Sequence, residues 1–157
     1  MFSKNKLLII SALVLLPTLY FFVTYSNKSN ASINLSTTNN SVLKNGKQIY
    51  AENCASCHGV NLEGQKDWKS RLPNGMMPAP PHDATGHTWH HPDRYLFMVT
   101  KYGIEELIGE KYPNNMPAYK DILNDEEIIA VLSYIKSTWP SKINKIHDQI
   151  NSRANKN

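Results

Sequence analysis

Two cysteines, Cys54 and Cys57, stand three positions apart, and His58 directly follows the second. Thiolates and imidazoles are the side chains that bind metals and attack carbon centres, so Cys54-Ala55-Ser56-Cys57-His58 is where this chain can do chemistry. The C-x-x-C-H spacing is that of c-type haem attachment. On one turn of helix the two thiols each reach a vinyl group of one porphyrin, and the next imidazole lies beneath the iron as its proximal ligand. The spacing thus predicts one haem c, bound through two thioethers from Cys54 and Cys57, with His58 on the metal. The sequence holds only these two cysteines.

Three plainer readings compete. A Cys54–Cys57 disulfide closes a very short loop, contributes little stability and gives His58 no role. A thioredoxin-like C-x-x-C needs a strand before it and a helix after it, whereas this one follows a helical pattern and precedes a loop. A zinc site needs a second ligand pair at matching spacing, and no cysteine remains to supply it.

A second chemical stretch is Tyr112-Pro113-Asn114-Asn115-Met116-Pro117-Ala118-Tyr119. A methionine flanked by turn residues is held by loop geometry, and its thioether is a soft ligand suited to haem iron. Met116 is therefore the expected second axial ligand, with His58 and Met116 as the metal-binding pair. Met76, Met77 and Met98 are its rivals: Met98 falls on a predicted helix, and Met76 and Met77 stand close to the attachment site. Between them lies a run with four of the six histidines, His82, His87, His90 and His91. Imidazoles at this density allow a copper site, or plain hydrogen bonding to haem propionates and loop carbonyls, shared with Trp89. No carboxylate or thiolate completes a metal site there, which favours hydrogen bonding.

The elements that must position these residues are helical. Leu43, Ile49 and Tyr50 give Val42 to Asn53 an apolar face, with Ser41 as its N-cap and Gly46 inside it. From Gly59 to Pro81, glycines and prolines break any regular element, and Trp68, Leu72, Met76 and Met77 are placed to cover one haem face. His91-Pro92-Asp93 opens a helix that Gly103 closes. Asn124 and Glu127 form a capping-box pattern ahead of an apolar stripe at Ile128, Val131, Leu132 and Ile135, and Trp139-Pro140 ends that helix.

The flanks divide the chain into parts. Lys4 and Lys6 precede an apolar run from Leu7 to Tyr25, which makes residues 1–25 a signal anchor or a signal peptide. The length of the run favours an anchor; the small residues at Ser29-Asn30-Ala31 would suit cleavage. Either way the lysines stay inside and the rest is exported, so the expected place is the inner membrane with the head in the periplasm, or a cleaved soluble periplasmic form. Residues 26–40 are rich in Ser, Asn and Thr and read as a flexible linker. Residues 41–140 form the haem domain and 141–157 a polar, frayed C-terminal tail. The net charge of +4 comes largely from the leader and linker: without Lys4, Lys6 and Lys28, fourteen basic residues face thirteen acidic ones. Nothing in that balance calls for nucleic acid.

Over Ser41 to Trp139 the chain resembles a class I, monohaem cytochrome c, and in particular a membrane-tethered bacterial type. The resemblance rests on Gly46 and Tyr50 ahead of Cys54-Ala55-Ser56-Cys57-His58-Gly59, then Asn115-Met116-Pro117-Ala118-Tyr119, then Val131 and Tyr134. The run Gly86-His87-Thr88-Trp89-His90-His91-Pro92-Asp93 is similar to a subgroup of tethered members. The resemblance implies a small all-α fold in which the first and last helices cross, Gly46 against Tyr134, with a middle helix and long loops wrapped around haem. It implies a periplasmic one-electron carrier with His/Met axial ligation and protein redox partners. No catalytic residue and no small-molecule substrate are expected. The alternatives are a peroxidase-like haem enzyme with an acid–base histidine among His82–His91, and a copper-handling redox protein using the same loop.

Overall fold

The computed structural model describes residues 33–156. They form six helices and one short 3₁₀ turn: α1 (Asn40–Asn53), α2 (Ala55–His58), the turn Thr88–His90, α3 (Asp93–Tyr102), α4 (Ile104–Ile108), α5 (Asp125–Ser137) and α6 (Ser141–Ala154). No strand occurs among the described residues; Met77 and Asn114 make one isolated parallel bridge. The all-α class is as expected. The leader over residues 1–25 and the first part of the linker lie outside the described residues. Among the described residues no helix is long and apolar enough to cross a membrane.

Helix α1 starts slightly earlier than its sequence pattern indicates. Asn39 is the N-cap, its side chain accepting from Val42 N–H, and Ser41 Oγ donates to Asn39 Oδ1 at 2.8 Å. The capping box of α5 forms as the sequence predicts: Asn124 accepts from Glu127 N–H, and the Glu127 carboxylate accepts from Asn124 N–H. Three acids in that first turn suit the positive end of the helix dipole.

The buried faces of these two helices make the most extensive contact in the fold. Ile49 and Tyr50 of α1 meet a stripe of Ile128, Val131, Leu132 and Ile135 from α5, all buried. Gly46 is the crossing point. A β-carbon there would drive into the Ala130 carbonyl and come within 3.0 Å of Tyr134 Cβ. The sequence reading of Gly46 against Tyr134 therefore holds, and the Tyr50 and Tyr134 rings sit 5.6 Å apart beside it.

The two flanks depart from expectation. Residues 33–36 are not a free tether. Leu35 is only 3% exposed, its N–H donates to Asp93 Oδ2 at 3.1 Å, and Ser36 N–H donates to Ser133 Oγ at 3.1 Å. The polar composition of 26–40 conceals this because one leucine and two long-range hydrogen bonds suffice to dock a short segment.

Nor does the domain stop at Pro140. Residues 141–154, expected to fray, form α6, and its His147 is wholly buried. His147 Nε2–H donates to His91 O at 3.0 Å, its ring meets Trp139 edge-on at 5.0 Å, and Lys136 Nζ pairs with Asp148 at 2.9 Å. The Asp93 carboxylate joins both flanks. Oδ2 takes the Leu35 amide, while Oδ1 takes Asn151 Nδ2 at 3.0 Å and faces His147 Nε2 at 3.4 Å.

Gly46→Ala is expected to destabilise the domain by ~1–3 kcal/mol, because α1 must back away from α5 along its whole length. Denaturant melts of the variant read this directly, and an unchanged midpoint would mean the crossing is loose. Burial, then Lys136, pushes the His147 pKa below its ordinary value, against the opposing pull of Asp93. Its neutral form is the one folding keeps, so its contribution is complete above about pH 6.5 and is lost as pH falls through the lower folded value. The urea midpoint should therefore drop between pH 7 and pH 5, and His147→Gln should flatten that drop; equal slopes would assign the acid sensitivity elsewhere.

Candidate functional site

Cys54 is the C-cap of α1, and α2 begins at the next residue. Cys54 N–H donates to Tyr50 O and His58 N–H to Cys54 O, both at 2.9 Å, so the two thiols and the imidazole share a single helical turn. Two phenols hold that turn from either end. Tyr50 OH donates to Gly59 O, and Tyr119 OH, from the segment containing Met116, donates to Asn53 O, both at 2.8 Å. Burial, then the nearby thiols, pushes the Tyr119 pKa up to about 12, and burial with Cys54 raises Tyr50 further. Both phenols therefore stay protonated as donors. Burial, with Cys57 adding, also lifts the free Cys54 thiol to about 11. Such a thiol is a weak nucleophile at neutral pH, which argues against a thioredoxin-like role.

His58 is 7% exposed, and its Nδ1–H donates to Pro80 O at 2.8 Å. Burial lowers its pKa, with the Pro80 hydrogen bond opposing, so the ring is neutral and Nε2 keeps its lone pair. Such an outer hydrogen bond fixes the tautomer and orientation of a metal-binding imidazole. Pro80 is itself held: Gly64, at φ 69°, lies so close to Pro80-Pro81 that a β-carbon there would overlap them, and Gly86 presses on the Pro81 carbonyl. Sequence reading missed the role of Pro80, because a backbone carbonyl has no side-chain signature. Its adjacency to Pro81, which stiffens the segment, was the available signal.

Cys54, Cys57, His58 and Met116 all line one cavity of ≈ 640 Å³, walled on the α5 side by Val131, Leu132 and Ile135. Met116 N–H donates to Asn114 Oδ1 at 2.8 Å, which fixes the start of its turn. Met77 lines the same cavity. Its N–H donates to Pro113 O at 2.9 Å, and its bridge to Asn114 sets it alongside the Met116 segment. Proximity to the attachment site in sequence therefore did not separate Met77 from Met116 in space. Met76 and Met98 are not in the wall. Of the residues expected to cover haem, Leu72 and Met77 do line the cavity, but Trp68 instead stacks on His87 at 5.2 Å.

The histidine run splits. His82, His87 and His91 line the cavity, whereas His90 lies against Trp89 at 3.7 Å. His82 shares a hydrogen bond with Thr88 Oγ1 at 2.8 Å, and the His91 carbonyl accepts from His147. Among the described residues no three His, Cys, Asp or Glu side chains are placed to hold a metal ion, so the copper alternative finds no centre in this loop. Leu62, buried and at φ 69°, adopts a left-handed conformation that costs a leucine about 1–2 kcal/mol. Its carbonyl accepts from both His82 N–H (2.8 Å) and Asp83 N–H (3.2 Å).

A largely apolar cavity of this size, with two thiols on one turn, an imidazole with a committed Nδ1 and a free Nε2, and thioethers in the wall, fits a covalently attached haem c. Comparison with known proteins agrees. Residues 43–139 match the family model described as cytochrome c. Two cytochrome c-552 sequences from Thermus thermophilus are 35% identical over 97 residues, which is 60% of this chain and 67% or 60% of theirs. Cytochrome c-555 from Prosthecochloris aestuarii is 34% identical over 75 residues, 44% of this chain and 76% of that protein. A Cbb3-type cytochrome c oxidase subunit CcoP from Azospirillum brasilense is 30% identical over 111 residues, 71% of this chain and 33% of the subunit. No solved structure matches the chain.

Tyr119→Phe removes the donor to Asn53 O and is expected to lower stability by ~0.5–1.5 kcal/mol while leaving the mass added by the cofactor intact. Denaturant melts and intact-protein mass read the two quantities separately. A variant as stable as the parent would show that this phenol does not hold the turn.

Proposed function

The chain belongs to the cytochrome c family, with haem c as its cofactor, and on that premise we propose that it is a one-electron carrier with His58 and Met116 as axial ligands. The observation that carries this reading is the convergence, on one cavity, of two thiols, an imidazole already oriented by Pro80 and a thioether on a turn-rich loop. When bound, haem supplies a ferric/ferrous couple whose potential a thioether ligand raises.

The protein's part is to hold both axial donors still. Pro80 O fixes His58, and the Asn114 carboxamide together with the Tyr119 phenol fixes the stretch that carries Met116. With His58 and Met116 both on the metal, a small-molecule substrate would have no place there, which supports electron transfer over catalysis. Of the histidines proposed for a peroxidase-like enzyme, His82 lies against His58 itself, the wrong side for a distal acid–base group. The partners are redox proteins, and the similarity to an oxidase subunit supports an oxidase as one of them. The basic and apolar pattern of residues 4–25 supports an inner-membrane anchor with the haem domain in the periplasm.

Met116→Ala should abolish the long-wavelength sulfur-to-iron charge-transfer band of the ferric protein, lower its potential and admit added imidazole or azide. Met77→Leu should leave all three unchanged. The reverse pattern would make Met77 the ligand, and a parent protein that lacks the band would favour the enzyme.

A further inference from the structure

The His82 ring lies almost flat on the His58 ring, with centroids 3.9 Å apart and planes inclined by 20°. This is not casual packing, because His82 is held through its amide, its carbonyl and its ring Nδ1. Its amide donates to the strained Leu62 carbonyl at 2.8 Å, and its own carbonyl accepts from Trp139 Nε1 at 2.8 Å. Its Nδ1 is bonded to Thr88 Oγ1 at 2.8 Å, and its ring meets Tyr50 edge-on at 6.4 Å. His58, by contrast, has one directional restraint, the bond from Nδ1 to Pro80 O. One hydrogen bond, with its broad angular tolerance, still lets the ring librate about the Cβ–Cγ bond.

We propose that His82 is a positioning residue that sets the plane of the His58 imidazole, completing the orientation that Pro80 begins. This rests on the reading of His58 as the proximal ligand. The face-to-face contact narrows that libration. It also places a polarisable π face against an imidazole that becomes more positive when the metal is oxidised, so it favours the ferric form. Thr88 belongs to the same device, since its hydroxyl stops the His82 ring from turning.

The test is paramagnetic NMR and potentiometry on the haem-loaded protein. His82→Leu should change the pattern of haem-methyl hyperfine shifts, which follows the orientation of the axial imidazole, and should raise the potential. His82→Phe, which keeps a flat ring, should restore most of the parent pattern. Thr88→Val should move the shifts in the direction of the leucine variant, and it reads the same device without altering the stacked pair. Parent-like shifts and potential in both His82→Leu and Thr88→Val would overturn the proposal. Failure of the underlying reading looks different: His58 ring resonances in the parent protein would then carry no hyperfine shift at all.

Discussion

The close approach of α1 to α5 at Gly46 decides where everything else in the domain can sit. Two helices can come this near only where one lacks a side chain, and the Ala130 carbonyl fills the space a β-carbon would need. Because the turn with both cysteines and His58 directly continues α1, this crossing also fixes the attachment site relative to α5. The wall formed by Val131, Leu132 and Ile135 then faces that site with no further adjustment. A contact made eight residues before Cys54 thus places the chemistry.

Opposite that rigid pair, most of residues 59–91 is loop, and it is ordered by bonds that aim at the site. Gly64 and Gly86 let the chain close around Pro80-Pro81, which brings the Pro80 carbonyl to His58. The left-handed Leu62 turns its carbonyl to the His82 and Asp83 amides. Loops built this way surround a cavity and leave the apolar residues of its wall without protein partners on one side. Haem c would pack its apolar face against those residues.

The outer flanks are joined to this core through one buried carboxylate. Asp93 takes the Leu35 amide on one oxygen and Asn151 on the other, and its own N–H donates to Asn151 Oδ1 at 2.7 Å. Its neighbour His147 reaches the His91 carbonyl, so α6 steadies the segment whose histidines line the cavity. Helix α6 lies beyond the residues matched by the family model, which end at 139. It is fastened where the histidine run turns into α3.

The sequence by itself determined the chemistry and the helical frame. Cys54, Cys57 and His58 point to the cofactor by their spacing, with the rest of the chain in support, and the Asn124–Glu127 capping box acts within one turn of chain, where local rules hold. Met116 was legible as a cavity-lining thioether because turn residues surround it. What only the tertiary structure decided were contacts between residues far apart in the chain. Met77 comes beside the Met116 segment through a single bridge, His82 stacks on His58 across an intervening loop, and Leu35 and His147, both buried, meet the same distant aspartate. Composition made residues 33–36 look like tether and 141–154 like tail, because each owes its order to partners that local pattern cannot display.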